Sequence, residues 1–118
     1  MRRDMDLIRK LVLAVESSDG VDWDIEVPGY TEEELGYHAY LVIDAGLANG
    51  VDISTVSDLL PNWRINHLTS AGHDFADASR EESTWAKAKA VVAEKSAGFT
   101  LDVMKQVLVS VIKAGAGL

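Results

Sequence analysis

The chain has 118 residues, of which 47% are hydrophobic and 25% are charged, a composition that fits one globular domain with a single core. It has no cysteine, which excludes disulfide frameworks and thiolate sites. Its net charge of -8 disfavours binding to nucleic acid or anionic membranes. The sequence contains neither an uninterrupted apolar run of transmembrane length nor the pattern of a signal peptide, so we expect a cytoplasmic protein.

The N-terminal segment predicts a helix followed by a strand. Apolar side chains recur at helical spacing through residues 4–17, and Asp4 is placed to cap the first turn. Residues 21–27, VDWDIEV, then alternate apolar and acidic side chains. This alternation is typical of a half-buried strand, and Pro28 would end it.

A helix-turn-helix is predicted next. Thr31 and Glu34 have the spacing of a capping box, so a helix should begin directly after Thr31. Two short helices would share residues 32–45, with a break near Gly36. Gly46 is a suitable C-cap for the second of them.

The following elements predict a small hairpin and three further helices. Residues 47–56 and 62–69 are β candidates, and Thr69 would cap a helix over residues 70–79. An alanine-rich helix begins near Ser83, and a last helix begins after Thr100. We therefore expect a mainly α chain with a small β-sheet, an α+β fold.

Several segments of the chain resemble known sequences. YHAYLVIDAGL and HLTSAGHDF are similar to the second helix of bacterial winged-helix proteins and to the helix that follows their wing. A wider resemblance is carried by the segments RRDMDLIRKLVLAVE, GYTEEELGYHAYLVIDAGL and LTSAGHDFADASR and by the Trp85 segment. Through them the whole chain resembles the uncharacterised bacterial and phage-borne domain-of-unknown-function family 2513. The element order and this resemblance imply a winged-helix-like domain over residues 1–82. Residues 83–118 would form a C-terminal helical extension that packs on it or on a second copy. The resemblance assigns no activity and no site residues.

The charge distribution opposes DNA binding by the predicted helix-turn-helix. Between Lys10 and Arg64 there is no lysine or arginine, whereas the same interval holds eleven acids. DNA phosphates would meet a surface of their own sign. The side chains expected to point outward from the second helix suit a protein partner better, and they are Tyr37, Tyr40, Ile43 and Asp44. The alternative is that these side chains pack against the wing or the C-terminal helices.

Two other groups of residues are candidates for contacts. The basic residues that could form a DNA-binding surface in a dimer are Arg2, Arg3, Arg9, Arg64, Lys87 and Lys89. The last helix has an apolar face wider than one core requires, which favours a homodimer. This candidate dimer seam consists of Leu101, Met104, Leu108, Val111 and Ile112.

Catalytic and metal-binding patterns are weak in this sequence. His73 and Asp77 have a spacing that suits two metal ligands, but no third ligand is identified. His38 lies on the leucine-bearing side of its helix and is expected to be a hydrogen-bonded, partly buried imidazole. We therefore expect no catalytic, metal or cofactor site and no enzymatic activity.

Three functional hypotheses remain. The leading one is a non-catalytic winged-helix-like module that acts through protein–protein contacts as a homodimer, in regulation associated with phages or mobile elements. The alternative is a DNA-binding transcriptional regulator that uses a basic surface formed by the N- and C-terminal helices. A third is an acidic mimic of DNA that occupies a partner's DNA site.

Overall fold

A computed structural model describes residues 1–18, 25–94 and 100–115 of the chain. The elements in these residues are α1 (Met5–Ser17), α2 (Glu32–Asp44), β1 (Ala48–Asp52), β2 (Trp63–Leu68), α3 (Ser70–Ser79), α4 (Glu82–Glu94) and α5 (Leu101–Gly115). The fold is mainly α with a small β-sheet, as the sequence predicted. The chain divides into two compact units, Met1–Ala76 and Asp77–Leu118. Among the described helices, none has both the length and the apolar character that crossing a bilayer requires.

Helix α1 forms the centre of the first unit. The Asp4 carboxylate accepts hydrogen bonds from the backbone N–H groups of Asp6, at 2.9 Å, and Leu7, at 3.2 Å, and so caps the helix as predicted. The buried apolar face of α1 consists of Met5, Leu7, Ile8, Leu11, Val12 and Val15. This stripe packs against α2 and β2.

The predicted strand at residues 21–27 falls largely outside the described residues. Its last part, residues 25–27, is described and is not a strand. Val27 is nevertheless buried against Leu7 and Leu11, with Tyr30 and Leu35 packed on the same cluster. Tyr30 and Leu35 are the two staple positions on either side of the α2 cap, so this cluster fixes how the chain enters α2.

The prediction of two short helices over residues 32–45 was wrong, because α2 is one continuous helix. The capping box is formed: the Glu34 N–H donates to Thr31 Oγ1 at 3.1 Å, and the Thr31 N–H donates to Glu34 Oε1 at 3.0 Å. Gly36 does not break the helix but lies buried inside it, where a larger side chain would collide with Asn62. One interior glycine costs a helix only about 1 kcal/mol, and packing offsets that cost.

Strands β1 and β2 form an antiparallel hairpin. The register runs from Ala48 opposite Leu68 to Asp52 opposite Trp63, with an irregularity between Asn49 and Gly50. Strand β1 is shorter than predicted, so residues 53–62 form a loop that we call the β1–β2 loop. The hairpin packs on α2 through both strands.

The turn after α2 is joined to the start of α3 by Thr69. Its hydroxyl donates to the Gly46 carbonyl at 2.6 Å and accepts from the Gly72 N–H at 3.1 Å. Gly46 has φ +81°, the left-handed conformation of a helix C-terminus, and Leu47 beside it is fully buried. At Gly72 a Cβ would collide with the Leu47 carbonyl, so the glycine allows α3 to approach closely.

The second unit contains the packed pair α4 and α5. Trp85, Ala88 and Val92 of α4 are buried, as are Met104 and Leu108 of α5. Thr100 caps α5 by accepting a hydrogen bond from the Val103 N–H at 3.1 Å, as predicted. The sequence places Phe99 and Met104 at the two staple positions around this cap, and Phe99 lies outside the described residues.

Candidate interaction surfaces

Two side chains of α2, Tyr40 and Ile43, contact the hairpin. Ring centroids are 6.0 Å apart for Tyr37 and Tyr40, and 6.0 Å apart for Tyr40 and Trp63 of β2. Ile43 covers the backbone of β1 at Gly50, where an added Cβ would lie 2.6 Å from Ile43 Cδ1. Tyr37, Tyr40 and Ile43 are all half-buried. Tyr40 and Ile43 therefore lie partly against the hairpin, and Tyr37 contacts Tyr40 within α2.

Within the described residues 25–76, the exposed charged side chains are all acidic. Asp44, the fourth residue of the predicted face, is exposed. Other exposed acids in the described residues 25–76 are Glu26, Glu32, Glu33, Asp52, Asp58 and Asp74. This surface repels phosphates and attracts cationic groups of a partner.

A cavity of about 490 Å³ lies beside α2 and the hairpin and is lined by both apolar and charged residues. Arg64 shares its wall with Glu26 and Glu32, and Trp63 and Leu35 supply apolar surface. Arg64 was a candidate DNA contact. The two carboxylates lining the same cavity oppose the positive potential that a phosphate contact needs.

Among the described residues of the first unit, the most exposed large apolar side chains lie on the β1–β2 loop. Val56 has a relative exposure of 108% and Leu59 of 96%. Two large apolar side chains fully in water, three residues apart, differ from the scattered half-exposed residues of an ordinary surface. Neither exposed side chain was predicted: Val56 fell at the end of the expected strand over residues 47–56, and Leu59 lay between the two expected strands. The usable signal was the segment Val-Ser-Asp-Leu-Leu directly before Pro61, in which apolar residues flank the turn-forming pair Ser-Asp.

Hydrogen bonds fix the conformation of the β1–β2 loop. The Thr55 N–H donates to Asp58 Oδ2 at 2.8 Å, and the Asp58 N–H donates to the Thr55 carbonyl at 3.1 Å. At the base of the loop, the Ile53 N–H donates to the Asn62 carbonyl at 2.9 Å. The Asn62 N–H donates to Ser54 Oγ at 2.8 Å. Val56 and Leu59 are therefore presented by an ordered turn.

The candidate dimer seam on α5 divides into buried and exposed residues. Leu101, Met104 and Leu108 have relative exposures of 8%, 0% and 0%, so the folded chain already buries them. Val111 is half-buried, whereas Ile112 is 42% exposed. Val109, which was not among the seam residues, is 49% exposed. Among the described side chains of α5, the exposed large apolar ones are Val109 and Ile112.

The candidate DNA contacts other than Arg64 lie on α4 and around the start of α1. Arg2 and Arg3 precede α1 and are exposed, whereas Arg9 is half-buried. On α4, Lys87 is exposed and Lys89 is half-buried. Within each unit these basic side chains are few, and in the first unit they share the surface with the acids described above.

The side chains that were candidates for catalysis or metal binding make contacts within the fold. His38 is buried, and both its ring nitrogens are within 2.8 Å of backbone groups. Asp77, one of the two residues with metal-ligand spacing, forms an ion pair with Arg80 at 2.6 Å. Within the described ranges, no group of three or more His, Asp or Glu side chains is placed to hold a metal ion.

Comparison with known proteins identifies the family. The chain is similar to an uncharacterised protein of Haemophilus influenzae, with 32% identity over 115 residues that cover 95% of this chain and 96% of that protein. No solved structure matches the chain significantly. The family described as a hypothetical protein, domain of unknown function 2513, matches residues 2–98, so the chain belongs to this family.

Proposed function

We propose that this chain is a non-catalytic module that acts through protein–protein contacts and forms a homodimer. The observation that carries the proposal is the ordered β1–β2 loop, which places Val56 and Leu59 in solvent. Exposed apolar side chains lower the free energy of a complex when a partner removes them from water. An ordered loop pays little conformational entropy on binding, so more of that gain remains as affinity.

The charge of the surrounding surface supports a protein partner over DNA. Glu33, Asp52 and Asp58 are exposed on or near the loop. The sequence has no lysine or arginine from residue 11 to residue 63. Arginine and lysine supply much of the attraction between a DNA-binding element and phosphates, and the β1–β2 loop has neither residue. Apolar residues with acidic neighbours instead suit a protein surface that has apolar and basic side chains.

The homodimer is tested by size-exclusion chromatography with light scattering over a wide range of protein concentrations. We expect the mass to rise with concentration from the chain mass of 12.8 kDa toward twice that value. A mass of one chain at every concentration would overturn the homodimer. The measurement is repeated at high salt, where a contact with a charged component should weaken.

A further inference from the structure

We infer that the β1–β2 loop, together with the first turn of α2, is a docking surface for a basic amphipathic segment of another protein. Such a segment has apolar side chains on one side and lysine or arginine beside them. The inference rests on the proposed contacts with proteins and deepens them, because it names the surface and the chemistry of the partner. Every residue of this surface belongs to the unit Met1–Ala76.

The apolar part of the surface combines a projection and a pocket. Val56 and Leu59 project into solvent from the loop. Leu59 also lines a shallow pocket of about 340 Å³ together with Leu60 and Pro61, which are half-buried. The first turn of α2 lines the same pocket. An apolar side chain of a partner that enters this pocket therefore contacts the loop on one side and α2 on the other.

The first turn of α2 supplies two carboxylates to the pocket. Glu32 and Glu33 are exposed and line it. The capping box of α2 is formed by Thr31 and Glu34, so the cap does not use either of these two side chains. Among the described residues that line the pocket, none is lysine or arginine. The pocket therefore presents negative charge beside its apolar wall.

The third carboxylate at the pocket, that of Asp58, has a structural role. Asp58 Oδ2 accepts hydrogen bonds from the Thr55 N–H at 2.8 Å and from the Thr55 hydroxyl at 3.3 Å. These bonds hold the turn that presents the loop. Glu32 and Glu33 are therefore the carboxylates that a cation of the partner would contact directly.

This combination of apolar and acidic groups selects the chemistry of the partner. A partner that covers Leu59 also removes water from the carboxylates of Glu32 and Glu33, and this desolvation is costly unless the partner supplies positive charge. An uncharged apolar segment leaves that cost uncompensated, and an acidic or phosphate-bearing ligand is repelled. Two projecting side chains and one shallow pocket bury less area than a large interface, so the partner is a short segment bound with micromolar affinity.

The experiment selects peptides from a phage-displayed library of random sequences on the full wild-type chain. Peptides that also bind the loop variant, Val56→Ser with Leu59→Ser, are removed. We expect the remaining peptides to be enriched in lysine or arginine next to large apolar residues. The selection reads the chemistry of the partner from the composition of the peptides, so it does not require the natural partner.

Fluorescence anisotropy of a labelled peptide from the selection then measures the two contributions separately. We expect the loop variant to raise Kd more than about 30-fold, and the charge variant, Glu32→Gln with Glu33→Gln, to raise it about tenfold. Added salt should weaken binding to the wild type more than binding to the charge variant. All four replaced residues are exposed, so thermal unfolding of both variants should match the wild type.

Two controls match these changes at exposed positions outside the surface. Val51→Thr alters an apolar side chain of β1 that is 43% exposed. Asp44→Asn with Asp74→Asn removes the same number of charges as the charge variant, from exposed positions in α2 and α3. Both controls should bind the peptide as the wild type does. Amide chemical shifts of the wild type, which need no variant, should change on peptide binding at residues 32–33 and 55–62.

Three results would overturn the inference: no peptide that depends on the loop, selected peptides without net positive charge, or equal Kd values for the wild type and the charge variant. A wild-type homodimer that the loop variant abolishes would make a second copy the occupant, and would overturn it as well. The proposed homodimer is judged separately by light scattering. A dimer without loop-dependent peptides refutes this inference alone, and a monomer that binds the peptides refutes the homodimer alone.

Discussion

The backbone N–H of Asp4, at the start of α1, donates a hydrogen bond of 2.8 Å to Nε2 of His38 in α2. The other ring nitrogen, Nδ1, lies 2.8 Å from the Glu34 carbonyl, one turn earlier in the same helix. A neutral imidazole with its proton on Nδ1 satisfies both contacts, since it donates to the carbonyl and accepts from the N–H. His38 therefore ties the cap of α1 to α2, and this role accounts for its burial.

Replacing His38 should destabilise the fold. His38→Ala leaves the Asp4 N–H and the Glu34 carbonyl without this partner and opens a cavity, so we expect a loss of about 3 kcal/mol in the free energy of unfolding. Urea denaturation measures it. His73→Ala is the matched control, because His73 is exposed and its replacement should change stability by less than about 0.5 kcal/mol. Equal urea midpoints for the two variants would contradict the structural role of His38.

Removing the hydroxyl of Thr69 should loosen the junction between α2 and α3. Thr69→Val keeps the shape of the side chain but loses the bonds to the Gly46 carbonyl and the Gly72 N–H. We expect a loss of about 1–2 kcal/mol, the usual range for an N-cap. Thr69→Ser retains the hydroxyl and should retain most of the stability. Thermal unfolding of both variants checks the prediction, which fails if valine and serine behave alike.

The close approach of Asn62 to Gly36 predicts a non-additive pair of substitutions. Gly36→Ala would ordinarily stabilise a helix by about 1 kcal/mol, but here the new methyl group meets the Asn62 side chain. We expect Gly36→Ala to destabilise the wild type and to become neutral or stabilising in an Asn62→Ala background. A double-mutant cycle by chemical denaturation measures the coupling. A coupling energy of zero would mean that the two residues do not constrain each other.

The stability of the β1–β2 loop should depend on the ionisation of the Asp52 carboxyl. Hydrogen bonds from Ser54, first from its hydroxyl and then from its backbone N–H, hold the pKa of the Asp52 carboxyl below its ordinary value of 3.8. Because the folded-state pKa is lowered, the stabilising contribution is present above the unfolded value and is lost as pH falls through the folded value. An NMR titration should find the Asp52 pKa below 3.8, and Ser54→Ala should raise it. An identical pKa in both proteins would contradict this account.

The features that the sequence predicted best are those that depend on residues close together in the chain. The Asp4 cap, the capping box of Thr31 and Glu34, and the Thr69 cap all follow from side chains within three residues of the backbone groups they bind. These local bonds exist whatever the tertiary structure, so spacing alone identifies them.

The features that depend on distant residues were not predictable in the same way. From the sequence, Gly36 predicts a break in the helix. In the structure it is the residue that leaves room for the side chain of Asn62, twenty-six positions later. Leu101, Met104 and Leu108 share a helical face with Ile112, yet only the packing of the folded chain decides which of them stays exposed. The outward position of Val56 and Leu59 depends on the turn that Thr55 and Asp58 close.

The central claim is that the acidic surface around α2 and the β1–β2 loop serves contacts with protein and not with DNA. Fluorescence anisotropy of a labelled random-sequence duplex, titrated with the wild-type chain at low salt, tests this most directly. We predict no rise in anisotropy up to concentrations at which the protein is dimeric. Micromolar binding that weakens steeply with added salt would contradict the claim, because such a dependence is produced by direct phosphate contacts.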